Sequence, residues 1–295
     1  MKSGFVAMIG RPNAGKSTLL NQILDRKIAI VSDKPQTTRN RITGIYTTDE
    51  TQIVFVDTPG IHKPKHKLGE YMVETAEKTV DDVDLIYYLV DASVKAGTGE
   101  EYVLNQVQQS GVPVFLLLNK VDKLTPEEIG KLLQEWQQKG DFAEIFPLSA
   151  LEGDNVARLV EVTEKYLPEG PQYYPADAVT DQPLEIVISE LIREKVLLLT
   201  HDEVPHSIAV FVENMERDTV GKMQIEACIY VERGSQKGII IGKGGSMLKK
   251  IGTMARRDIE YLMGEKVYLK LWIKVREDWR NKKQVLSSLG YNELY

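Results

Sequence analysis

A single cysteine, Cys228, stands among 295 residues, so no internal disulfide can form and a reducing compartment suits the chain. Cys228 sits in an alternating apolar run with neither a histidine nor a basic cluster beside it in sequence, which reads as a core position rather than a nucleophile. Histidines number only four. The one close pair falls in the polar stretch His62-Lys63-Pro64-Lys65-His66, a loop composition rather than a metal site. Leu116–Leu118 and Ile239–Ile241 are short buried segments, and no apolar run approaches the roughly 20 residues needed to span a bilayer. The N-terminal run Phe5-Val6-Ala7-Met8-Ile9 leads straight into a glycine loop, which is not the layout of a secretory signal. Internal repeats and low-complexity tracts are also lacking. What remains is 42% hydrophobic and 27% charged, the composition of a soluble globular chain, and its length fits two domains. A cytoplasmic protein is expected.

The net charge of −6 is unevenly spread. From Pro183 to Tyr295 there are 18 Lys/Arg against 16 Asp/Glu, and the remainder holds 19 against 27. Within Lys237–Lys283 the count is 13 against 5, a local excess of eight positive charges. A basic segment on an acidic protein points to a confined site for a polyanion; solvated helix faces are the plainer explanation of the same charge.

Apolar strand-like runs at Phe5–Ile9, Ile53–Asp57, Leu85–Val90, Val114–Asn119 and Glu144–Leu148 alternate with helix candidates at Lys16–Leu24, Gly69–Asp81, Glu100–Ser110 and Pro126–Lys139. That alternation predicts a doubly wound α/β domain over residues 1–172. Glu169-Gly170-Pro171-Gln172-Tyr173-Tyr174-Pro175 breaks the pattern, and residues 173–182 read as a linker. From 183 to 295 the order changes to an α+β arrangement. It has an amphipathic helix (Leu184–Leu199), strands Ile208–Met215 and Met223–Glu232 joined at Asp218–Gly221, a glycine loop, a helix (Ser246–Met263), a strand (Val267–Val275) and a last helix from Arg276.

Gly10-Arg11-Pro12-Asn13-Ala14-Gly15-Lys16-Ser17, followed by Thr18, is a complete phosphate-binding loop placed directly after a strand and opening a helix. Its glycines let backbone N–H groups turn toward phosphate oxygens, Lys16 reaches the β- and γ-phosphates, and the Ser17 hydroxyl can ligate Mg²⁺. Alone it specifies a nucleoside triphosphate without naming the base. The base is read from Asn119-Lys120-Val121-Asp122 at a strand end. A carboxylate there accepts from N1–H and the 2-amino group of guanine, and adenine would leave it desolvated and unpaired. Ser149-Ala150, just past another strand, suits backbone donation to guanine O6. Asp57-Thr58-Pro59-Gly60 supplies the acid on the Mg²⁺ side and a glycine that can hinge toward the γ-phosphate. Between loop and acid lies Gln36-Thr37-Thr38-Arg39, where a switch threonine is expected to meet Mg²⁺ when GTP is bound. After the Asp-x-x-Gly, Ile61 stands where Ras-like enzymes have a water-orienting glutamine, so intrinsic hydrolysis is expected to be slow.

In the second unit, Gly242-Lys243-Gly244-Gly245 lies between two helices, the second of which carries Lys249-Lys250 and Arg256-Arg257. Small residues permit close approach of a nucleic-acid backbone, while Lys243 and the helix N-terminus meet phosphates. Ile239 and Ile240 are expected to offer an aliphatic platform for unstacked bases. The element order around this loop is that of a type II KH domain.

GRPNAGKST, QTTRNRITGI, FVDTPGIHKP, NKVD, the SAL segment and GIIIGKGG, in that order along nearly the whole chain, resemble the Era family of KH-containing, translation-factor-like GTPases. The resemblance implies that Thr38 is the threonine that meets the metal, and that Lys16, Thr38 and Gly60 bear on the reaction itself. It implies a K⁺ ion in place of an arginine finger, held by the P-loop asparagine that matches Asn13; a plain turn residue is the other reading of Asn13. It further implies a monomer that binds the 3′ end of 16S rRNA and acts in 30S subunit assembly, with a peripheral contact on the inner face of the cell membrane. A tRNA-modification GTPase remains an alternative, although such enzymes embed the G domain in a helical scaffold with a cysteine near the C-terminus. A double GTPase is disfavoured by the single P-loop. A pure interaction module, with a structural G domain, would show no GTP turnover.

Overall fold

The computed structural model describes residues 1–34, 36–61, 64, 66–80 and 82–291. Of the polar stretch noted above, His62, Lys63 and Lys65 lie outside the described residues.

The first unit is a six-stranded sheet of order β2-β3-β1-β4-β5-β6. Its strands are β1 (Lys2–Gly10), β2 (Ile42–Thr47), β3 (Thr51–Asp57), β4 (Leu85–Asp91), β5 (Val114–Asn119) and β6 (Glu144–Leu148). All neighbours are parallel except β2, which runs antiparallel to β3 at the edge. Helices α1 (Lys16–Leu24), α2 (Lys67–Val80), α3 (Thr98–Gln109), α4 (Pro126–Gln137) and α5 (Val156–Tyr166) connect them. Alternate strand residues face opposite layers. Met8, Phe55, Tyr87 and Leu117 pack under Leu19, Leu20, Leu159 and Val162, whereas Ile9, Ile86, Tyr88 and Leu116 pack under Ala76, Val103, Val107 and Trp136. Burial on both faces explains the unbroken apolar runs. Helix α4 begins as its sequence dictates, with Thr125 and Glu128 forming a reciprocal capping box ahead of Pro126. Strand β2 and helix α5 add to the elements expected from the sequence.

Residues 173–182 do not hang free of this sheet. Gln52 Oε1 accepts from the N–H groups of Tyr173 and Tyr174 at 2.7 and 2.9 Å. The N–H of Ile45 on the edge strand β2 donates to Val179 O at 2.8 Å, which occupies an otherwise open strand edge.

The second unit comprises α6 (Leu184–Leu199), the single turn α7 (Val204–Ser207), β7 (Ala209–Arg217), β8 (Met223–Val231), α8 (Gly234–Ile241), α9 (Ser246–Met263), β9 (Val267–Val275) and α10 (Lys283–Ser288). Its three strands lie in the order β7-β8-β9, with β9 parallel to β8. Helices α6 and α9 cover one sheet face through Ile188, Ile192, Ile251, Ala255 and Ile259. The last helix starts at Lys283 rather than at Arg276, because Asp278 takes a left-handed φ of 52° and a short 3₁₀ turn at Trp279–Asn281 intervenes. Cys228 is buried on the other sheet face, where Leu68 and Met72 of α2 pack with Tyr230, Trp279, Leu286 and Leu289. The two units therefore share an apolar contact. Among the described residues, no helix is long and apolar enough to cross a membrane.

Candidate functional site

The turn from β1 into α1 lies beyond the C-terminal ends of the parallel strands, where a doubly wound sheet opens its crevice. Lys16 folds back over this loop, donating to the carbonyls of Gly10 and Arg11 at 3.1 Å each. Burial holds its ammonium below the ordinary lysine range, opposed by Asp57 and Glu100. An anion in the loop would raise it again. Ser17 Oγ donates to Asp57 Oδ2 at 2.6 Å and lies 2.9 Å from Thr38 Oγ1. Asp57 is fully buried, and its Oδ1 has no hydrogen-bond partner among the described residues. Burial pushes its carboxyl up to about 6, against the pull of Lys16 and the two hydroxyls. Two hydroxyls and an unpartnered carboxylate oxygen beside a phosphate loop suit Mg²⁺, a hard cation that takes oxygen ligands and few protein groups.

A cavity of about 480 Å³ adjoins these groups, bordered by Asn13, Thr18, Thr38, Gly60, Asp91 and Lys120 among others. At Gly60 a side chain would come within 2.5 Å of the Pro12 nitrogen, so glycine is what lets the chain leaving β3 pass beneath the loop. Asn13, at φ 64°, lines the cavity and donates through Nδ2 to Asp33 O at 2.8 Å.

The base-reading loops are cross-braced. Asn119 Nδ2 donates to Ala14 O at 2.8 Å, and its Oδ1 accepts from the Ala150 N–H at 2.9 Å. Asn119 thus ties the phosphate loop to the loop after β6. Ser149 Oγ donates to Asp122 Oδ1 at 2.6 Å, which aims the exposed carboxylate. Lys120 pairs with Asp91 at 2.5 Å. Of the two residues expected to face guanine O6, the Ser149 N–H donates to Asp154 O and the Ala150 N–H to Asn119 Oδ1.

In the second unit the loop between α8 and α9 turns through three left-handed glycines, Gly242 (φ 71°), Gly244 (φ 59°) and Gly245 (φ 81°). A side chain on Gly242 would meet Met247 Cβ at 2.7 Å, whereas Gly244 has open space around it. Lys243, Lys249, Lys250 and Arg256 are all exposed on this loop and the helix behind it.

Two stretches match known families. Residues 5–120 match the family described as a 50S ribosome-binding GTPase, and residues 203–280 match the KH domain. Over 99% of its length the chain is 41% identical to an Era variant from Aquifex aeolicus bound to GDP·AlF4⁻, all of which it covers, with a TM-score of 0.97. The same identity, coverage and TM-score hold for an Era structure in complex with MgGDPNP and nucleotides 1506–1542 of 16S ribosomal RNA. The chain belongs to the Era family.

In this family member, a GTPase domain followed by a KH domain, several residues stand elsewhere than their motifs suggest. Ile61 is only 3% exposed and packs with Ala7, Ile9 and Tyr88, so it turns into the core rather than toward nucleotide. Ile240 is fully buried in the KH core and cannot carry a base; only Ile239, 51% exposed, is free to do so. Position in an apolar run does not reveal which residue faces inward on a helix. Thr58 serves β1 by donating to Met8 O at 2.8 Å, Val121 packs against the core layer that holds Ile61, and the Arg11 guanidinium lies by Gly99 at the start of α3. Pro59 and Ala14 are buried backbone-shaping positions. Motif reading passed over Asp91, although an acid at the C-terminal end of a parallel strand is where such a crevice places its polar groups. It also passed over Arg193, which no local signal marks.

Proposed function

We propose that this chain is a GTP-operated switch that binds the 3′ end of 16S rRNA through its KH domain and serves 30S subunit assembly. The observation that carries the reading is the meeting of Ser17, Thr38 and Asp57 from three separate segments beside the phosphate loop. Of the three, only the threonine stands outside helix and strand, in the kind of segment whose arrangement tells a triphosphate state from a diphosphate state. Residues 1–172 form the G domain, 173–182 the linker and 183–295 the KH domain. Backbone N–H groups of the loop Gly10–Thr18, Pro12 excepted, and the Lys16 ammonium receive the phosphates, Gly60 lies beneath them, and Asn119, Lys120, Asp122, Ser149 and Ala150 form the guanine side. Ser17, Thr38 and Asp57 would hold Mg²⁺, which when bound neutralises phosphate charge. Gly242–Gly245, Lys243, Lys249, Lys250, Arg256 and Ile239 form the RNA face. Cytoplasmic residence, a monomeric state and a peripheral contact with the inner face of the membrane enter this proposal on family resemblance. Crosslinking in cells followed by sequencing of the bound RNA tests the choice of RNA; recovery of mainly tRNA would overturn it in favour of a tRNA-directed GTPase.

Asn13 is proposed to hold K⁺. Ile61, the residue after Gly60, is buried and apolar and cannot orient a water, and a monovalent cation can supply the missing charge. Hydrolysis should be several-fold faster in KCl than in NaCl at equal ionic strength, by the logic of charge stabilisation at the transition state. Asn13→Ala should erase that difference while GTP still binds. Equal rates in the two salts would leave Asn13 as a turn residue that anchors Asp33.

Lys243→Ala removes a single phosphate contact from an exposed loop. The slope of log affinity against log salt for single-stranded rRNA should become shallower by about 0.7. A slope identical to that of the parent protein would remove Lys243 from the RNA face.

A further inference from the structure

The three residues 37–39 are gripped from the KH side. Thr38 faces Ser17 through its hydroxyl. On one flank, the Thr37 carbonyl accepts a hydrogen bond from Arg193 Nη2 on α6. On the other, Arg39 donates to Ile208 O at 2.5 Å and Pro205 O at 3.4 Å, with its guanidinium 5.8 Å from the centroid of the Trp279 ring. The Arg193 side chain is fully buried and is itself held by Glu190, through Nε at 2.8 Å and Nη2 at 2.5 Å. A guanidinium locked onto a carboxylate has a fixed plane and little freedom left to lose. One residue further along α6, Glu194 accepts from the Val31 N–H at 3.1 Å and from Lys27 at 2.6 Å, so α6 also holds the chain that leads from α1 toward this segment. Burying Arg193 is not a cheap way to join two domains. Its Nη1 has no hydrogen-bond partner among the described residues, and a buried charge is weak evidence for stability by itself.

We propose that Arg193 is a positioning residue for the GTPase: through the Thr37 carbonyl, the KH domain fixes the place of the Thr38 hydroxyl. This rests on the reading of Thr38 as a ligand required only in the triphosphate state. A residue that acts through Thr38 must therefore affect GTP and its analogues and spare GDP.

Arg193→Met keeps the length of the stem and removes every donor; Glu190, whose side chain is 20% exposed, can turn to water. The full chain would be titrated with fluorescent GDP and GDPNP at saturating Mg²⁺, then with Mg²⁺ at fixed GDPNP, and assayed for steady-state turnover. GDPNP affinity should fall about tenfold with GDP affinity within twofold, and the Mg²⁺ requirement for GDPNP binding should rise. Turnover should drop roughly tenfold to a hundredfold, the usual consequence of a small misplacement. Wild-type GDPNP affinity and Mg²⁺ requirement in Arg193→Met would overturn the proposal. Arg193→Lys restores one donor and should recover part of the loss. If the Met variant does not fold, the Lys variant decides: one ammonium shared between Glu190 and Thr37 should leave GDPNP binding several-fold weak, and an unchanged preference would overturn the proposal. Thr38→Ala, run in parallel, separates the two ideas. If Thr38→Ala keeps the wild-type preference for GDPNP, the reading of Thr38 fails. If it loses that preference and Arg193→Met does not, the positioning role alone fails. In the double variant, Arg193→Met should add nothing to the loss from Thr38→Ala.

Discussion

Replacing Lys243 and Gly244 together by aspartate should abolish binding of single-stranded rRNA while GTP turnover stays within about twofold of the parent, as expected for a change remote from the core. Both residues are exposed. A Cβ at Gly244 meets nothing within 4 Å, although its φ of 59° is left-handed. Aspartate is among the few L-residues that visit this region, and the strain is on the order of 1–2 kcal/mol. The KH core of Ile188, Ile251 and Ile259 lies elsewhere. Two carboxylates now stand where a phosphate must approach the N-terminus of the 18-residue helix α9, so attraction becomes repulsion. The RNA dissociation constant should rise by at least about a hundredfold at physiological salt, since each phosphate contact is electrostatic in origin. A gel-shift titration beside a GTPase assay reads both effects. Retained RNA binding in a folded double variant would exclude the loop from the RNA face. Gly242 is no substitute for this test, because a side chain there collides with Met247 and folding itself would suffer.

Asp122→Asn should turn guanine selectivity toward xanthine. The carboxylate, held by Ser149 Oγ at 2.6 Å, can accept from two guanine N–H donors; an amide in its place presents an N–H to one of them. Xanthine carries a carbonyl where guanine has its amine, and that carbonyl can accept from the new amide. A site built to pair a polar group discriminates by roughly 10⁴–10⁵ when the pairing is lost, so GTP affinity should fall by at least about a hundredfold while XTP affinity rises. Competition between the two nucleotides gives the ratio directly. An Asp122→Asn protein that still prefers GTP would show that the base is read by other groups. Ser149→Ala should produce a smaller version of the same loss, about tenfold, because it frees the carboxylate without changing its chemistry.

The phosphate loop, the Asn-Lys-x-Asp segment and the glycine turn of the KH domain were legible because each works through contiguous backbone. A glycine run between a strand and a helix sets its own geometry, and the chemistry proposed for Lys16 and Ser17 follows from their place in that run, as that proposed for Asp122 follows from its place just past the end of β5. Strand positions were legible for the same reason, as double-sided burial writes an apolar run into the chain. The inward and outward senses of Ile61 and Ile240 were not, since the partners that bury both come from other elements. Nor was the grip on the switch threonine. Arg193 and Thr37 lie 156 residues apart, and Arg39 and Ile208 lie 169 apart. The sequence by itself determined which nucleotide and which kind of polymer the protein is built to meet, because those are properties of local motifs. Only the tertiary structure decided that the KH domain holds the segment carrying Thr38, because packing α6 and α2 across two domains brings together charges that no local pattern relates.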